Sequence, residues 1–198
     1  LNRRFAAQYG FAAAVEDWLQ LDITNLSVFP DGAFDCVVAY GGPFSYVLEQ
    51  RSTALSECAR VLKPGGRLLA SVMSLWGSAR RDLAGTLGVP PEYNQRITST
   101  GDLTAVSWPA RTRGQMHLFR AGEVQGWLLS HGLRVLAMSA SGVLANGSAA
   151  DLAPVRADPA RWAELLRMEL EASADPACLG LGTHLIFAAE AKKENQPA

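Results

Sequence analysis

Two short stretches of this sequence have the residue types and positions to hold a ligand: Asp22-Ile23 and Tyr40-Gly41-Gly42. Asp22 closes the alternating stretch Val15-Glu16-Asp17-Trp18-Leu19-Gln20-Leu21, and an ionised carboxylate there can only accept hydrogen bonds; a turn or cap residue is its plainer reading. Tyr40-Gly41-Gly42 closes the apolar run of residues 34–39, where glycine permits close backbone approach, with a plain tight turn before Pro43 as the alternative. If a hydroxyl or amine must lose a proton, His117 is the candidate to take it, against a solvent-facing strand histidine as the bland reading. His131 at a helix end suits the helix dipole, and His184 opens the last strand. Tyr46, Tyr93 and Trp108 are aromatics that could line a pocket for a second molecule, each with simple packing as its alternative. Asp35, at the start of its strand, faces the end away from a ligand and reads as structural.

These residues need a frame. Pro30-Asp31-Gly32 is a turn that launches a strand over residues 34–39, dense in apolar residues as a central strand is. Ser52 is a plausible N-cap for a helix whose Leu55, Cys58, Ala59 and Leu62 form one stripe, stopped by Lys63-Pro64-Gly65-Gly66 and returned into a buried strand over 68–72. Strand, helix and strand have the right length for a parallel crossover. In such an open α/β sheet ligands bind beyond the carboxyl ends of the strands, where Asp22-Ile23 and Tyr40-Gly41-Gly42 both fall.

Before the crossover, Ala-rich residues 3–14 finish a helix and residues 15–21 read as a strand. After it, residues 77–87 read as a helix with Arg80 and Arg81 outward. Residues 88–116 carry turn chemistry and scattered aromatics, including Pro90-Pro91, Thr98-Ser99-Thr100-Gly101 and Arg111-Thr112-Arg113, and read as an insertion or lid. A short strand over 116–119, a helix around Val124, Trp127 and Leu128 stopped by Gly132, and a strand over 133–138 follow. Residues 139–157 read as loop; Asp158-Pro159 then starts a helix with Trp162, Leu165, Leu166 and Leu170 on one face. A final strand covers 183–189, and the polar tail 192–198 reads as frayed.

Three runs in order, Asp22-Ile23-Thr24-Asn25-Leu26, Phe29-Pro30-Asp31-Gly32-Ala33-Phe34-Asp35-Cys36-Val37 and Ala59-Arg60-Val61-Leu62-Lys63-Pro64-Gly65-Gly66, resemble the class I S-adenosylmethionine-dependent methyltransferases over most of the chain. The resemblance implies a Rossmann-like α/β fold, with a mostly parallel sheet in the order third, second, first, fourth, fifth, seventh, sixth strand and the seventh antiparallel. It also implies S-adenosylmethionine as cofactor. Asp22 would accept from the adenine amine and the Ile23 backbone N–H would reach a ring nitrogen, while Tyr40 and Gly41 would flank the methionine portion. Tyr46, Tyr93 and His117 would face the methyl acceptor.

The family's glycine-rich turn and ribose-binding acid have no counterpart; Gly180-Leu181-Gly182 has part of the spacing but lies between a helix and a strand, the reverse of the required order. The single domain, residues 1–198, therefore reads as N-terminally truncated, beginning at Leu1 just before the family's third strand. The two absent strands leave a gap of several spacings of about 4.8 Å and an uncovered edge on the fourth strand. The chain could be a fragment, its early strand could pair beside the fourth, or a second copy could supply the edge in a homodimer; the fragment is the favoured reading.

A net charge of −1 with no dense basic face disfavours nucleic acid and favours a small-molecule substrate. No stretch approaches the roughly 18 apolar residues of a membrane span. Cys36, Cys58 and Cys178 are too dispersed for a zinc site or disulfide framework; no metal is expected, the first two read as core residues, and a reducing cytoplasm is the simplest compartment. The expectation is methyl transfer to a small molecule, an in-line displacement that asks mainly for alignment. A catalytically silent fragment or scaffold of the same fold is the alternative, and a nicotinamide oxidoreductase is disfavoured for want of a dinucleotide fingerprint.

Overall fold

The computed structural model describes residues 2–110, 114–146 and 149–192; Leu1, Arg111-Thr112-Arg113 and the tail past Lys192 lie outside the described residues. In chain order the helices and strands are α1 (Asn2–Gln8), β1 (Phe34–Ala39), α2 (Pro43–Tyr46), α3 (Arg51–Val61), β2 (Leu62–Met73), α4 (Leu75–Arg81), α5 (Leu83–Leu87) and α6 (Pro91–Thr100). They continue with β3 (Asp102–Leu103), β4 (Met116–His117), α7 (Ala121–Ser130), β5 (Leu133–Ser141), α8 (Ala149–Arg156), α9 (Pro159–Ala174) and β6 (His184–Ala191).

The crossover forms as its sequence requires. Leu55 and Cys58 of α3 are buried on the sheet, and β1 and β2 run parallel, with Cys36 opposite Arg67 and Ala39 opposite Ala70. The register jumps between Phe34 and Cys36, because Lys63-Pro64-Gly65 bulges out of β2 with Gly65 at φ 79°. The four-stranded sheet has the order β1-β2-β6-β5. β6 is antiparallel to both neighbours, so β5 runs with β1 and β2: a mostly parallel Rossmann-like sheet whose last strand is reversed. This is the fourth, fifth, seventh, sixth part of the expected order. Phe44, Leu68, Phe119, Leu128, Leu133, Leu185 and Phe187 fill the core.

Several expectations are corrected. Residues 15–21 form no strand, because no described strand lies alongside to share a ladder, and Leu19 and Leu21 stay exposed. Cys36 is exposed, and Val38 is 61 % exposed, because that face of β1 has no cover and its outer edge no neighbour among the described strands. Ser52 is not the N-cap of α3: a 3-10 turn, Leu48–Gln50, feeds straight into the helix. The helix expected over 77–87 is two helices, broken where Asp82 turns to cap α5 by accepting from Gly85 N at 3.1 Å.

The stretch 88–116 is not all turn: Pro91 sits in the first turn of α6, a place where proline favours a helix, and β3 pairs with β4 across the remaining residues. The stretch 139–157 contains the end of β5 and α8. α9 starts as expected, with the Asp158 carboxylate accepting from Ala160 N and Arg161 N, but Leu166 and Leu170 are left exposed. No helix among the described residues is long and apolar enough to cross a membrane.

Candidate functional site

The loop after residue 21 is shaped by its own short polar side chains. Asp22 Oδ1 accepts from Thr24 N at 2.9 Å and from Thr24 Oγ1 at 2.8 Å, closing an Asx turn. Those bonds hold the carboxyl below its ordinary range. Oδ2 has no partner among the described residues and stands exposed. Further along, Leu26 N donates to Glu57 Oε2 at 2.7 Å, and Arg60 donates to both Glu57 oxygens, to Phe29 O and to Asp31. α3 thereby fastens the loop to the sheet.

At the carboxyl end of β1 the chain turns through Gly41 (φ 90°) and Gly42 (φ 76°), a region that side-chain-bearing residues seldom adopt. Gly41 N donates to Ser71 Oγ at 3.0 Å, and a Cβ on Gly41 would meet nothing within 4 Å, so its outer side opens to space. The adjoining open cleft is lined by Asp22, Ile23, Pro43, Tyr46 and Val47 among others. Asp22, Ile23 and Tyr46 are thus brought together. Tyr40, 55 % exposed, and Gly41 precede the cleft without lining it.

A second cavity, of about 360 Å³, lies beyond Met73 at the end of β2, between α4, α5, α6 and the β3–β4 pair. Met73 is its wall towards the cleft: the Tyr46 hydroxyl lies 4.0 Å from the Met73 sulfur, and a Cβ on Gly42 would be 3.3 Å from Met73 Cγ. Trp108 lines this cavity, as do Arg81, Asn94 and Met116, which their sequence pattern does not single out. Arg80 and Arg81 are not equivalent solvent residues. Arg80 donates to Val143 O and Leu181 O, while Arg81 lines the cavity.

Tyr93 lies outside both cavities, with Arg96 over its ring, although its neighbour Asn94 faces the larger one. His117 is 1 % exposed, with Nδ1 2.7 Å from Asp102 Oδ1 and Nε2 2.7 Å from Glu123 Oε1. Both ring nitrogens are therefore engaged, and the ring braces β3 and α7 instead of facing solvent. Burial raises the Glu123 carboxyl, but the His117 bond and charge, with the Arg120 N–H and the Arg51 charge, together outweigh it and leave it below its ordinary range. Asp35 receives both its bonds from Lys63, at 2.8 and 2.9 Å.

Residues 2–70 match the family described as a methyltransferase domain. No curated protein matches the sequence. Among solved structures, an S-adenosylmethionine-dependent methyltransferase from Methanosarcina mazei superposes with a TM-score of 0.54 at 18 % identity, over 88 % of this chain and 66 % of that one. One from Mesorhizobium loti gives 0.51 at 17 % identity, over 93 % and 76 %, and the [4+2]-cyclase SpnF gives 0.51 at 19 %, over 96 % and 60 %. The chain spans about two thirds of the length of these structures. Residues 2–70 thus resemble a methyltransferase domain, and the chain shares the fold of these S-adenosylmethionine-dependent methyltransferases. The cyclase on the same fold means that the chemistry must be argued from the site.

The residues present fit part of that cofactor. An outward carboxylate oxygen at Asp22 and the open backbone at Gly41 are the acceptor and the space that an amine-bearing ring and an extended tail require.

Proposed function

We propose that this chain provides one side of an S-adenosylmethionine site and transfers the methyl group to a small molecule. Asp22 and the Ile23 N–H would hold the adenine, and Tyr40 and Gly41 the methionine portion. When bound, the sulfonium supplies a methyl group already activated for displacement. The protein's own work is alignment. The observation that carries this reading is the Tyr46–Met73 contact, which sets the cleft beside Asp22 back to back with the apolar cavity. Tyr46 and Met73 would hold donor and acceptor at one meeting point and keep water out of it. His117, with both nitrogens engaged, would position the cavity's β3–β4 wall and move no proton.

Calorimetric titration with S-adenosylhomocysteine tests the reading. Saturable binding that weakens at least tenfold in Asp22→Ala is expected; absence of binding, or binding indifferent to Asp22, overturns it. The uncovered edge of β1 favours a second reading, in which these residues alone are a silent scaffold or a homodimer half. Methyl transfer by the chain as a monomer would remove that reading. A cytoplasmic setting is proposed on the cysteines, all unpaired.

A further inference from the structure

The cavity behind Met73 is apolar over most of its wall, with Leu75, Ile97, Leu103, Trp108, Met116 and Leu118 facing in. Its size, about 360 Å³, is at the small end of ligand pockets and suits about two fused rings. Arg81, Asp82, Thr86, Asn94 and Thr183 interrupt this pattern, and the Asn94 amide is already bonded to Thr86 O and Val89 O. Arg81 of α4, exposed to solvent as well as lining the cavity, has no ion-pair partner among the described residues. The neighbouring arginine, Arg80, is committed to two carbonyls. Asp82, which also lines the cavity, uses Oδ1 to cap α5 and makes no ion pair with Arg81. An unpaired guanidinium beside a largely apolar wall is the complement of an apolar anion.

We propose that this cavity takes the methyl acceptor, and that the acceptor is a flat, mostly apolar acid whose carboxylate is held by Arg81. The claim that the occupant is the acceptor rests on the methyltransferase reading above; the claim that it is an acid rests on α4 alone. A guanidinium presents paired N–H groups that match a carboxylate, and the rings would lie between Trp108 and Met116. Arg81 also makes itself felt inward: its charge adds to burial in holding the His184 imidazole below its usual range.

The probes are naphthalene-2-acetate and its neutral twin naphthalene-2-acetamide, titrated calorimetrically against the wild-type chain, Arg81→Met, Arg81→Lys and Leu103→Trp, each checked for a wild-type melting curve. The expected result is acid bound at least tenfold more tightly than amide by the wild type. Arg81→Met should abolish the preference while leaving amide affinity unchanged, Arg81→Lys should keep part of it, and Leu103→Trp, which fills the cavity, should remove both probes. Equal binding of the two probes, no binding of either, a preference that survives Arg81→Met, or binding that survives Leu103→Trp overturns the proposal. Titration of the same variants with S-adenosylhomocysteine separates the two claims. Loss of cofactor binding with the acid preference intact sinks only the acceptor role, whereas cofactor binding with no acid preference sinks the acid site and leaves the methyltransferase reading standing.

Discussion

Arg60 grips Glu57 through two parallel bonds, Nε to Oε1 at 2.7 Å and Nη2 to Oε2 at 2.9 Å, and the same carboxylate takes the Leu26 N–H. One guanidinium thus ties α3 to both ends of the loop that follows Asp22, because Arg60 also reaches Phe29 O and Asp31. The bonds from Arg60, then that from Leu26, hold the Glu57 carboxyl down to about 2 from an ordinary 4.5. A carboxyl depressed on folding contributes stability above its unfolded value, and that contribution drains away as pH falls towards 2. Thermal melts between pH 5 and 2 should show Glu57→Gln starting less stable than wild type and converging on it as acid removes the advantage. Parallel curves would mean the clamp contributes nothing.

Asp22 does two jobs with two oxygens. Oδ1 builds the Asx turn with Thr24, and Oδ2 is left for a ligand. Asp22→Asn keeps an oxygen for the turn and loses the charge. Its melting temperature should stay within a degree or two of wild type, while affinity for S-adenosylhomocysteine falls about tenfold, the worth of roughly one charged hydrogen bond. A variant with unchanged affinity would remove Asp22 from the cofactor site.

How far the sequence reaches depends on whether a feature is local. The turn at Pro30-Asp31-Gly32, the stripe on α3 and the Asp158-Pro159 start of α9 are written in neighbouring residues, and each forms. Residues 15–21 alternate as a strand does, yet a ladder needs a partner, and pattern alone cannot supply one. The α6 helix is hidden because Pro90-Pro91 reads equally as a turn or as a helix start. The cavity is least legible: its wall joins Met73, Arg81, Asn94, Trp108 and Thr183, which only the finished fold brings together. His117 pairs with Asp102 at a distance of fifteen residues, through a strand pair of two residues each that carries almost no periodic signal.

His117 bridges two carboxylates, Asp102 of β3 and Glu123 of α7. Removing the ring, as in His117→Leu, leaves Asp102 without the imidazole and Glu123 with only the Arg120 N–H, which should cost about 2 kcal/mol in denaturant unfolding. Glu123, whose carboxyl the ring helps to hold below its ordinary range, gives its stabilising contribution above the usual glutamate range and loses it on acidification. The pH dependence of stability near pH 4 should therefore flatten in the variant. A general base would behave differently, leaving stability intact while turnover per folded molecule collapses.

Gly77 lets α4 lie against the start of β6. A Cβ there would stand 1.7 Å from the Gly182 carbonyl oxygen, so backbone has to move. Gly77→Ala should lose about 3 kcal/mol or more in denaturant unfolding, and the displaced helix should carry Arg81 away from the cavity. Gly126→Ala, on α7, is the control: its Cβ meets nothing within 4 Å, and stability should hold or rise slightly.

The uncovered side of β1 is a site for self-association. Val38 is 61 % exposed on a strand whose outer edge has no described neighbour, the arrangement that recruits a strand from another molecule. The side chains facing out beside it, Cys36 and Tyr40, carry no charge that would oppose such pairing. Light scattering should therefore show the chain self-associating as its concentration rises. Val38→Lys places a charge where a paired strand would desolvate it, so the variant should stay monomeric about tenfold higher in concentration while its melting curve, governed by the buried face at Val37 and Ala39, changes little. If Val38→Lys associates like wild type, the contact lies elsewhere and the β1 edge is harmless as it stands.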